Sequence, residues 1–138
     1  TMAQQVPLSG AVIVSTPQDL ALIDARKGLS MFRKVDIPVL GIVENMSYFT
    51  PAELPANRYY IFGKEGGKKL AEEYEIPFLG QIPLLQSIRE GGDIGVPIMV
   101  GDDQLSRAAF EEFAANTVRS ISMRNANLSA LQTAEVID

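Results

Sequence analysis

Three short apolar runs stand out along the chain, separated by stretches with helical spacing. The first is Gly10-Ala11-Val12-Ile13-Val14-Ser15-Thr16, which is apolar at odd and even positions alike. A strand that does not alternate is buried on both faces, as in a parallel sheet between helix layers. Pro38-Val39-Leu40-Gly41-Ile42-Val43 has the same character, and Pro77-Phe78-Leu79-Gly80-Gln81-Ile82 is a shorter version. Between the first two, residues 18–34 predict a helix whose broad apolar face carries Leu20, Ile23, Leu29 and Phe32, with Ala21 and Leu22 nearby. Pro17 suits the first turn of that helix, where its missing N–H costs nothing.

A second, short helix is predicted over 66–74, with Leu70, Ala71 and Tyr74 on one side. A further helical turn at 88–90 is closed by Gly91-Gly92-Asp93 in a left-handed turn. The longest helix runs from Leu105 to about Met123, with Leu105, Ala109, Phe113, Val118 and Ile121 roughly in phase. Residues 48–60, with Pro51, Pro55 and Asn57, read as a loop. Tyr59-Tyr60-Ile61-Phe62 reads as a satellite core cluster, with a partner-binding patch as the alternative.

Alternating strands and helices imply right-handed crossovers, hence a three-layer α/β fold with a mostly parallel sheet flanked by helices. Residues 1–124 form its domain, and 125–138 form a tail that is frayed or partner-dependent. The first strand reads as central, yet only two other strands are convincing. The expectation is therefore partner strands from upstream in a longer protein, or a homodimer along the open edge.

Composition narrows the chemistry. The 138 residues hold 12 basic and 17 acidic side chains, a net charge of −5, which argues against nucleic acid as partner. No apolar run approaches the roughly 18 residues of a membrane span, so no membrane is expected and the cytoplasm is the default location. There is no cysteine and no histidine. Thiol nucleophiles, imidazole bases and cysteine-ligated iron–sulfur clusters are excluded from this chain's own chemistry. No metal ligand and no catalytic residue is assigned. Asp19 near a helix start suits the macrodipole, and Arg26 and Lys27 read as an exposed helix face.

Two strand-ending motifs remain, Gly41-Ile42-Val43-Glu44-Asn45-Met46 and Gly80-Gln81-Ile82-Pro83. They are spaced as the base-binding half of a P-loop ATPase, yet the chain has no Gly-x-x-x-x-Gly-Lys-Ser/Thr phosphate loop. Gly63-Lys64-Glu65-Gly66-Gly67-Lys68-Lys69 imitates one but has Lys68 where a glycine is needed, and reads as a loop opening a helix.

Taken with Ser15-Thr16-Pro17-Gln18-Asp19, Asp24-Ala25-Arg26-Lys27-Gly28, Ile61-Phe62-Gly63, Ile88-Arg89-Glu90-Gly91-Gly92-Asp93 and Gly95-x-Pro97-Ile98, these motifs resemble the C-terminal half of Mrp/ApbC-type P-loop ATPases. These are the ParA/MinD-like iron–sulfur cluster carriers. The resemblance covers about residues 7–115 and implies a partial P-loop NTPase fold. It also implies ATP and magnesium as cofactors of the full-length protein, a homodimer, and iron–sulfur client proteins as partners. Asn45 would meet the adenine edge, with Met46 beside it, and the backbone at Ile82 and Pro83 would line the base pocket. Where the family carries Cys-Pro-x-Cys, this chain reads Thr50-Pro51-Ala52-Glu53-Leu54-Pro55, which has no thiolate for a cluster. Two other readings stay open: a ParA/MinD-like positioning ATPase, and a non-catalytic interaction module with a decayed nucleotide pocket.

Overall fold

The computed structural model describes residues 5–135, with side chains through residue 129. The element order is β1 (Ala11–Ser15), α1 (Asp19–Lys34), β2 (Val39–Glu44), α2 (Gly66–Glu73), β3 (Phe78–Gln81), α3 (Gln86–Ile94), a 3-10 turn (Ile98–Val100) and α4 (Gln104–Glu135). The strands form one sheet in the order β1-β2-β3, and both pairings are parallel. Helices α1 and α2 cover one face, where Ile13, Leu22, Ala25, Leu29, Ile42, Leu70 and Ala71 form a core. Helix α4 covers the other, over Val43, Leu79, Ile82 and Ala109. This is the three-layer α/β arrangement that the apolar runs predict.

Among the described residues β2 lies between β1 and β3, so β1 is an edge there, with Val14 63% exposed. Several local expectations are corrected. The core face of α1 is Leu22, Ala25 and Leu29, while Leu20 is 76% exposed and Ile23 also points outward. Both sets have helical spacing, so periodicity alone cannot choose between them. Helix α3 runs through Gly91-Gly92 and stops at Gly95, whose φ is 71°. The Val96 N–H donates to Gly91 O (2.9 Å) and the Gly95 N–H to Gly92 O (3.4 Å), the paired bonds of a Schellman end.

Helix α4 continues to Glu135, past the stop expected near Met123, and is about 48 Å long. Its sheet-facing side holds polar pins: Asn116 Nδ2 donates to Leu79 O (3.0 Å) and Ser120 Oγ to Leu40 O (2.7 Å). Val118, expected in phase with the core, is exposed. The final residues of the 125–138 tail, 136–138, lie outside the described residues, as do 1–4.

Candidate functional site

Because all three strands are parallel, their C-terminal ends share one edge, where α/β proteins place ligands. Ser15, Glu44 and Gln81 are the terminal residues and stand in register across the sheet. The turns that follow are clipped together through the backbone. Asn45 N–H donates to Ser15 O (2.8 Å), Ile82 N–H to Glu44 O (2.9 Å), Ser47 N–H to Ile82 O (3.0 Å) and Leu84 N–H to Tyr48 O (2.8 Å).

At the centre lies Glu44, a carboxylate with 0% exposure. It accepts from Ser47 Oγ (2.5 Å), from the Gly67 N–H (2.6 Å) and from Gln81 Nε2 (3.3 Å). Gly67 is the second residue of α2, so one of these donors sits at the positive end of a helix. A Cβ on Gly67 would meet Glu44 Oε2 at 3.2 Å, and one on Gly66 would meet Pro17 O at 2.1 Å. The glycine run therefore serves close packing of α2 against the strand ends. It opens a helix, as the sequence indicates, and its Gly67 N–H is already used by Glu44, so it does not fit a phosphate group.

The structure brings the four nominated residues together, but not as equals. Asn45 is half-buried; its Oδ1 accepts the Met46 N–H (2.9 Å), and its amide nitrogen makes no hydrogen bond among the described residues. That donor, together with the second lone pair of Oδ1, fits an adenine edge, which offers a ring-nitrogen acceptor beside its N6 donor. Met46 is exposed and holds a left-handed φ of 53°, a conformation that costs a non-glycine residue about 1–2 kcal/mol. Ile82 is buried, with its N–H and C=O both spent on the 44–47 turn, and the Pro83 ring is fully buried. Asn45 and Met46 alone among the four offer side chains to a ligand from the surface. Glu44 belongs to the Gly41-Ile42-Val43-Glu44-Asn45-Met46 motif, whose local spacing assigns it no role. A charged residue closing a wholly apolar strand was the available signal.

Two clefts border this edge. One, of about 550 Å³, lies between residues 49–55 and Leu85, Gln86, Ser87, Asp103 and Leu105. The other, of about 450 Å³, lies between Pro17, Asp19 and Arg26 on one side and Phe62, Lys64 and Lys69 on the other. None of Asn45, Met46, Ile82 and Pro83 lines either cleft. Asp103 sits just before α4, accepting from the Leu105 and Ser106 N–H groups (3.0 and 3.2 Å), from Ser106 Oγ (2.8 Å) and from Ser87 Oγ. Burial pushes its carboxyl up, but the hydrogen bonds from Ser87 and the Ser106 turn outweigh this and hold it below the usual carboxylate range.

The 48–60 segment is pinned rather than free. Phe49 bridges Tyr59 and Leu84, and the Arg58 guanidinium stacks over Tyr48 at 4.2 Å. Tyr59, Tyr60 and Ile61 are exposed, so they form no satellite core. No group of three or more Asp or Glu is placed to hold a metal ion among the described residues. With no cysteine in the sequence, no thiolate ligand for a cluster is present either.

A parallel sheet between helix layers, with its turns gathered at the strand ends, is the α/β arrangement that P-loop NTPases share. Solved structures agree. MinD, the cell-division ATPase of Pyrococcus furiosus, aligns over 80% of this chain and 43% of its own, with a TM-score of 0.61 at 23% identity. A nucleotide-binding protein from Archaeoglobus fulgidus, solved in complex with ADP, matches 63% of this chain and 35% of its own, with a TM-score of 0.56 at 40% identity.

Within that class, the family model described as ParA: NUBPL iron-transfer P-loop NTPase matches residues 1–118, and the chain belongs to this family. It is similar to an iron–sulfur cluster carrier protein of Synechocystis, 49% identical over 89% of this chain. The iron–sulfur cluster transfer protein NUBPL of Mus musculus is 46% identical over 88% of it. The chain spans 35% and 38% of the length of these two relatives.

Proposed function

We propose that this chain forms the adenine-side half of an ATPase that carries or assembles iron–sulfur clusters, with the phosphates and magnesium held by a segment outside the sequence given. The observation that carries the reading is Asn45, whose amide donor, unpaired among the described residues, stands at the ligand edge in a turn clipped to both neighbouring strand ends. The family membership and the relatives named as cluster carriers support the cargo. With no cysteine of its own, the chain would depend on thiolates from elsewhere for the cluster, so it is a participant in carriage rather than the ligand source. Dimerisation, client proteins that accept clusters, and a cytoplasmic setting belong to the same proposal.

The test is calorimetric titration of Mg-ATP into the chain as it stands and into the chain fused behind the upstream half of the Synechocystis relative. Binding by the fused form alone is the expected result. Asn45→Ala in that form should then lower the preference for ATP over GTP by about tenfold, the worth of one hydrogen bond. Should neither form bind, the chain is a non-catalytic interaction module with a decayed pocket.

A further inference from the structure

Glu44 presents a problem that the base-binding reading leaves unsolved. It is a fully buried carboxylate that makes no ion pair among the described residues. Burying such a group is unfavourable unless donors surround it. Its three donors come from three different segments of the ligand edge. Ser47 belongs to the turn after β2, Gly67 to the start of α2, and Gln81 to the end of β3, just before Ile82 and Pro83.

Next to it, the Asn45 side chain has no anchor among the described residues beyond the Met46 N–H. Met46 and Glu65, the residue before α2, both hold left-handed backbone at φ 53° and 58°. Such conformations persist only where the surroundings fix them. Glu44 touches both of these turns, directly at Ser47 and at Gly67.

From this geometry we infer that Glu44 is the positioning residue of the base site: its carboxylate locks the 45–47 turn, the start of α2 and the end of β3 into one unit, and so fixes where the Asn45 amide points. It reaches no ligand itself. The inference rests on the nucleotide reading above, and it adds that base selectivity and the order of the 62–67 loop depend on one buried side chain.

Two variants test it. Glu44→Asp keeps the charge but is one methylene too short to hold Ser47 and Gly67 together. Glu44→Gln keeps the length; its oxygen can accept from Gly67, and its amide can donate to a rotated Ser47 hydroxyl and to the oxygen of a flipped Gln81 amide. In the fused, nucleotide-binding form, Glu44→Asp should cut the ATP-to-GTP affinity ratio about tenfold and Glu44→Gln should stay within about threefold of wild type. A merely structural role would weaken both nucleotides equally and leave the ratio unchanged, and that result overturns the inference.

Amide hydrogen exchange on the chain as it stands needs no nucleotide. Glu44→Asp should accelerate exchange at Ser47, Gly67 and Ile82 together. Acceleration at Gly67 alone would overturn the shared lock even if ATP binds. If wild-type protein binds ATP and GTP equally, the base-recognition reading fails and takes the positioning role with it, while exchange still reports on the lock.

Discussion

Asp103 illustrates how a single side chain joins two elements. It caps α4 through the Leu105 and Ser106 N–H groups and also receives Ser87 from α3. Asp103→Ala should cost about 1–2 kcal/mol in urea unfolding, the range of lost helix caps. The pH dependence has a definite sign. The folded carboxyl lies below its unfolded value, so the stabilisation is fully present above the unfolded pKa of about 3.9. It is lost as the pH falls through the lower folded pKa, and Asp103→Ala should flatten that part of the stability–pH curve. Asn45 was open to nomination from the sequence because its motif and spacing are local. Glu44 was not, because its partners at Gly67 and Gln81 lie 23 and 37 residues away.

Among the elements, α1 shows where periodicity stops being informative. Apolar residues surround most of the helix, and docking onto β1 and β2 selected Leu22, Ala25 and Leu29 for burial. Leu29→Ala, at a fully buried position, should cost about 2–5 kcal/mol. Ile23→Ala, on the outward side, should stay within about 0.5 kcal/mol in the same chemical denaturation. Helix α2 is placed by contact rather than propensity. Gly66→Ala would drive a Cβ against the Pro17 carbonyl, a backbone atom that cannot step aside. It should lower stability by about 1–3 kcal/mol. The glycines at 91 and 92 look like a helix stop, yet the end falls at Gly95, where the left-handed cap and its two hydrogen bonds close the helix.

For the molecule as a whole, α4 extends well past Ser120, whose Oγ donates to Leu40 O on the sheet. Side chains at 125–129 are exposed. A chain ending at Arg124 should therefore lose helical circular dichroism while keeping its thermal midpoint within about 2 °C, since exposed positions contribute little. A larger drop would mean that the end of the helix is part of the folded core. The alternation of apolar runs with helix-patterned segments already fixed the order of layers, because burial on both faces of a strand requires helices on both sides. Within the described sheet β1 lies at an edge with Val14 facing solvent, which fits the expectation of partner strands beside it.

What the sequence determined by itself was the class of fold, the lack of thiol and imidazole side chains among these 138 residues, the two strand-end motifs and the departure of the glycine run from a phosphate-loop pattern. All are local properties, set by residue type and short-range spacing. The tertiary structure decided which side of each helix is core, and that Glu44 gathers Ser47, Gly67 and Gln81 around one buried carboxyl group. Those outcomes depend on donors and surfaces brought together across tens of residues, and only packing of the whole chain can make that choice.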